Sequence, residues 1–148
     1  MKINLICASK IKKESPLYDM YFEYFKRITF FKINLIEFDE KNLSKENINK
    51  TLFSHIKEGT YTIALDENGR NHTSQEFAKI LANFPHKNIN TINFIIAGAE
   101  GFLPQYKSQA HELLSLSKFT FPHQIARVLL IEQLYRTQCL INGHPYHK

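Results

Sequence analysis

A chain of 148 residues, 43% hydrophobic and 13% aromatic, can bury about 68–70% of the surface that its unfolded form exposes, which excludes a disordered protein and removes any need for stabilising disulfides or metals. Its two cysteines are too few for a disulfide framework. The formal net charge is +5, and Lys10, Lys12, Lys13, Lys26, Arg27 and Lys32 crowd the first third, which suits either a polyanionic partner or a plain solvated basic face.

Residues 2 to 8 read as a first strand. Their apolar run, interrupted by Asn4, is too short for a signal-peptide core or a membrane span; the expected location is the cytoplasm, with Cys7 and Cys139 as reduced core thiols. Ser15-Pro16 then supplies a cap and a first-turn proline to a helix in which Leu17, Met20, Tyr21, Tyr24, Phe25 and Ile28 recur at helical spacing. Residues 32 to 38 form a second strand. Ser44 opens a second helix with Ile48, Leu52 and Ile56 on one face, and Gly59 stands where a left-handed residue would end it. A third strand over 60 to 66 leads into the turn "DENGR", and Thr73 with Glu76 makes a capping box ahead of Phe77, Ile80, Leu81 and Phe84. The spacing predicts a fourth strand over 91 to 97, a helix over 104 to 114, a fifth strand over 116 to 121 and a last helix over 122 to 141. This alternation, without repeat or linker, predicts one domain over residues 1–148. Its class is α/β, with a mainly parallel sheet and helices on both faces.

The stretch "NFIIAGAEGFLP" sets Gly98 and Gly101 at the carboxyl end of the fourth strand, where open α/β sheets bind ligands; a tight turn is the competing reading. Neither G-x-G-x-x-G after the first strand nor a GxxxxGK(S/T) loop is present, which disfavours dinucleotide and P-loop chemistry. The last helix is apolar nearly all round, carries Glu132 and Arg136 as an i,i+4 pair, and leaves Arg127 without a local partner. Such a helix needs cover on nearly all sides, which predicts a subunit interface. The tail "NGHPYHK" is polar and aromatic. It could stack on a base and hold a phosphate, or simply be solvated. His144-x-x-His147 is half a metal site with no further ligand evident, so no metal is expected.

Three segments in order, "FIIAGAEG", "SLSKFTFPHQIARVLLIEQLYR" and "HPYHK", resemble the ribosomal RNA large-subunit methyltransferase H family of the SPOUT class, and the resemblance covers the whole chain, including "TIALDENGR". It implies a trefoil knot in the carboxyl-terminal part, which no periodicity would suggest. It further implies a homodimer that uses S-adenosylmethionine to methylate N3 of a pseudouridine in the large-subunit (23S) ribosomal RNA of assembled ribosomes. By the same resemblance Leu65, Ala97, Gly98, Gly101, Leu116, Ser117, Lys118, Phe119, Thr120 and Phe121 hold the cofactor, mainly through backbone groups. Ala97 replaces the family's usual glycine, which is harmless if φ there is negative. Arg127 and the tail residues His144, Tyr146 and His147 are expected to hold the nucleotide, the tail in its own or the partner subunit's pocket. His123, His144, His147 and Glu132 are candidate proton acceptors. A ribosome-binding protein of the same fold without catalysis, and an open-sheet flavin or nicotinamide oxidoreductase, are the competing functions.

Overall fold

The computed structural model describes residues 1–147, the His147 side chain excepted. Among them the strands are β1 (Lys2–Ala8), β2 (Lys32–Phe38), β3 (Tyr61–Asn71), β4 (Thr91–Ile96) and β5 (Glu112–Ser115). The helices are α1 (Leu17–Arg27), α2 (Lys45–Ser54), α3 (Ser74–Asn83), α4 (Pro104–Lys107) and α5 (His123–Ile141). All strand pairs are parallel, in the order β2-β1-β4-β3-β5. The neighbouring interior strands β1 and β4 are almost continuously buried, as a sheet covered on both faces requires. Ile3, Leu5 and Cys7 of β1 pack with residues of α1, α3 and α5 in one core layer, whereas Ile6 and Ala8 pack with α2 and α4 in the other. Helices therefore lie on both faces.

A polar ladder crosses this apolar sheet near its amino end. Asn34 donates to Asn4 at 3.2 Å, Asn4 to Asn93 at 2.8 Å, and Asn93 to Thr60 at 2.8 Å and Thr62 at 3.2 Å. Asn4 sits opposite Asn34 on one side and Asn93 on the other, so the side-chain amides join strands already in register.

Three expected elements are corrected. The helix expected over 104 to 114 closes after one turn, and the fifth strand is Glu112–Ser115 rather than 116 to 121. Its pairing is non-local: Ile63, Ala64 and Leu65 match Glu112, Leu113 and Leu114, then β3 bulges through "DENG" and pairs again at Arg70 and Asn71. The stretch 116 to 121 is a loop because hydroxyls take up its backbone groups, Ser115 donating to the Ser117 carbonyl at 2.6 Å and Ser117 accepting from the Phe119 amide at 3.1 Å. Gly59 has φ +75°, yet α2 ends at Ser54, so this glycine serves the turn before β3. By contrast, the Ser44 cap and the Thr73–Glu76 capping box form as expected.

Helix α5 packs on α1 and α3. Of its nineteen residues only Ile125 and Ile141 count as exposed, at 38% and 36%. Its own chain thus covers most of the helix, and the partly exposed stripe that remains is Ile125, Leu129, Glu132, Gln133, Arg136 and Leu140.

Candidate cofactor crevice and tail platform

From β1 the chain moves outward to β2, whereas from β4 it crosses in the opposite direction to β5. The loops leaving β1 and β4 therefore diverge, and this divergence opens a crevice at the carboxyl ends of the strands. Gly98 and Gly101 lie on that edge. Their turn closes through the Gly101 amide and Gly98 carbonyl at 3.1 Å, with Gly101 at φ +70°. Asn49, fully buried on α2, clamps the same turn: it donates to the Gly101 carbonyl at 3.2 Å and accepts from the Leu103 amide at 2.8 Å. The one sequence signal for this clamp is an asparagine inside the apolar stripe Ile48, Leu52, Phe53. Ala97 is buried, and the non-glycine residues with positive φ among those described are Ser9, Asn42 and Asn88. The methyl group at Ala97 is therefore accommodated without backbone strain.

Pairing of β3 with both β4 and β5 brings Leu65 and the 116–121 loop to the same edge. Leu116, Ser117 and Phe121 are partly buried, Lys118 and Thr120 exposed, and Phe119 is 78% exposed. Thr120 donates to Glu67 in the β3 bulge and ties the loop to that strand. The ten residues that the resemblance singles out thus belong to strand β3 and two loops at the carboxyl ends of the strands.

Beside them lies an acidic and basic network at the start of α5. Ser9, at φ +67°, has its hydroxyl 3.1 Å from His123 Nε2. The same nitrogen is 3.7 Å from Glu40 Oε1. Arg127, expected to project toward a nucleotide, turns inward instead and is 2% exposed. It pairs with Glu37, donates to the Tyr21 hydroxyl at 3.1 Å and to the Ser9 carbonyl at 3.4 Å, and lies 4.5 Å over the Tyr21 ring. Burial pushes the neighbouring Cys7 thiol up to about 12 and raises the Tyr21 phenol as well, so both stay protonated beside the cation.

The tail forms a second group. The Tyr146 hydroxyl lies 3.1 Å from Glu132 Oε1 and 3.2 Å from the Tyr24 hydroxyl, its ring meets Tyr135 edge-on, and Arg136 sits 4.9 Å from its centroid. Glu132 and Arg136 pair at 2.6 Å, as their spacing predicts. Burial, then the Tyr24 contact and the Glu132 charge, raise the Tyr146 phenol. His144 is exposed, with Nδ1 accepting from the Tyr146 amide at 3.2 Å. An open pocket of about 570 Å³ lies alongside, lined by Arg27, Tyr135, Gln138, Asn142 and His144 among others. The His147 side chain lies outside the described residues. His123 and Tyr135 stand twelve positions apart on α5, about 18 Å at helical rise, so one chain does not bring the tail platform and the crevice together.

No three His, Cys, Asp or Glu side chains among the described residues are grouped to hold a metal, and no described helix is long and apolar enough to cross a membrane.

An open parallel sheet with one glycine-bearing loop at its switch point has the architecture of α/β proteins that bind ligands there. The family model described as "Predicted SPOUT methyltransferase" matches residues 1–147, and the chain belongs to that family. It is 42% identical to the ribosomal RNA large subunit methyltransferase H of Clostridium botulinum strain Langeland and 39% identical to that of strain Kyoto. To the protein of that name from Clostridium novyi it is 37% identical. Each alignment covers 100% of both chains.

Proposed function

We propose that this protein transfers a methyl group from S-adenosylmethionine to N3 of a pseudouridine in the 23S RNA of the assembled large ribosomal subunit. The observation that carries this reading is the convergence of Leu65, the 97–101 turn and the 116–121 loop on one strand-end crevice in a chain alike over its full length to methyltransferases of that name. The residues present suit such a cofactor. Gly101, at φ +70°, has nothing within 4 Å of its Cβ position, the Cβ side of Gly98 meets only the Glu40 carboxylate, and most contacts would be to backbone groups. When bound, the cofactor supplies an electrophilic methyl on a sulfonium. The chain's part is to align the acceptor nitrogen and exclude water. Arg127, held inside, positions the start of α5 beneath the crevice, and among the described proton-acceptor candidates His144 is the most exposed to solvent.

The whole chain acts as one domain, knotted in its carboxyl-terminal part, and works as a homodimer through the Ile125, Leu129 and Leu140 stripe. The separation between crevice and tail favours a tail that serves the partner's crevice. Exposed Lys10, Lys12 and Lys13 follow β1 at the crevice edge, and Arg27 lines the tail pocket, where RNA phosphates would sit.

Mass mapping of 23S RNA from cells with and without the protein, followed by reaction of the purified chain with unmethylated ribosomes, tests the activity. One methyl group should be missing in its absence and restored in vitro. Ribosomes that bind the chain yet stay unmethylated would favour the non-catalytic alternative.

A further inference from the structure

Gly98 is at the switch point, and its open face is not empty. A Cβ built there would stand 1.9 Å from Glu40 Oε2, so the carboxylate of Glu40 rests directly against the Gly98 backbone. Glu40 follows β2, two strands away from β4 in the sheet, and its side chain is 23% exposed. Among the described residues its one ionisable partner is His123, at 3.7 Å, beyond hydrogen-bond length. The nearby Arg127 is committed to Glu37, Tyr21 and Ser9. A mostly buried carboxylate with acceptor sites to spare is costly unless a donor reaches it.

We infer that Glu40 is a ligand-binding residue that receives the α-ammonium group of the methyl donor's amino-acid portion at the Gly98 turn. The inference rests on the methyl-donor reading above and adds to it a residue and a chemical contact. Two cationic groups could meet this carboxylate, and catalysis discriminates between them. The sulfonium charge vanishes as the methyl leaves, so a carboxylate there would stabilise the ground state over the transition state. An ammonium keeps its charge throughout and brings three N–H donors to the unfilled acceptor sites. The absence of a Cβ at Gly98 lets ligand and carboxylate meet against the backbone.

Calorimetric titration of the full chain and of Glu40→Gln, which keeps the side-chain shape, tests this with three ligands. S-adenosylmethionine carries both charges, S-adenosylhomocysteine only the ammonium, and 5′-methylthioadenosine neither. Glu40→Gln should weaken the first two by about tenfold or more and leave 5′-methylthioadenosine within twofold. A loss confined to S-adenosylmethionine would place Glu40 at the sulfonium and overturn the assignment. So would an equal loss for all three ligands, which marks a structural role, or tighter binding by the variant, which marks a carboxylate that the ligand must displace. If the unaltered chain binds none of the three, the methyl-donor reading itself fails, and the Glu40 assignment with it.

Discussion

Arg127 and Arg136 lie nine positions apart on one helix and have opposite surroundings, because what each side chain meets is set by elements far away in the chain. Arg127 reaches β2, α1 and the turn after β1, while Arg136 meets Glu132 of its own helix and the tail. Removing one partner of a buried ion pair leaves the other uncompensated. Arg127→Ala should therefore lower unfolding stability by about 3 kcal/mol, the lower end of the usual range because Glu37 is a fifth exposed. The double variant Arg127→Leu with Glu37→Leu should regain much of it in urea denaturation; equal losses for single and double variants would mean that the pair contributes little. The exposed Arg27–Glu23 pair, at 49% and 57% exposure, is screened by water, and Arg27→Ala should leave the midpoint unchanged. Sequence could show that Arg127 lacked a helical neighbour. It could not show Glu37 opposite, since that meeting needs the packed fold.

At the scale of elements, local signals were read well where the chemistry is local. The capping box is such a case: Glu76 accepts from the Thr73 amide at 2.8 Å, and that donation holds its carboxyl below the usual value. A depressed carboxyl stabilises at pH above its unfolded value and loses that contribution as pH falls through the folded one. The amides of the first turn of α3 should therefore exchange faster as acid protonates Glu76, before the core opens, and in Glu76→Gln this pH step should vanish from native-state exchange. β5 was illegible for the opposite reason. Four residues, "ELLS", fit a helix as well as a strand, and the choice is made by β3, which bulges and pairs with them twice. Asn93 shows what the sheet asks of a polar side chain. Asn93→Leu would strand acceptors and donors on Asn4 and Thr62 and should cost about 1–3 kcal/mol.

For the whole molecule, alternation of strands and helices was enough to give a parallel α/β sheet, but not its order, because that depends on which edge each crossover returns to. The proposed dimer is likewise a property of an assembled surface. Light scattering should give twice the 17.4 kDa chain mass, and Leu129→Glu should halve it; a monomer before mutation would refute the arrangement. Neutralising Lys12 and Lys13 should weaken ribosome binding and flatten its dependence on salt, whereas an unchanged slope would mark them as merely solvated. The strand order also sets a timetable during synthesis. β1 and β2 can pair early, yet the other edge of β1 belongs to β4, whose last residue is Ile96. Counted from Ala8 at the end of β1, at about 5–20 residues per second the ribosome needs roughly 4–18 s to deliver it. Throughout that interval a nascent chain carries an open, apolar strand edge of the kind that recruits other chains. Nascent chains halted just before β4 should therefore cross-link to holdase chaperones along β1, and release from the chaperone should coincide with the emergence of residues 91 to 96 rather than with the end of translation.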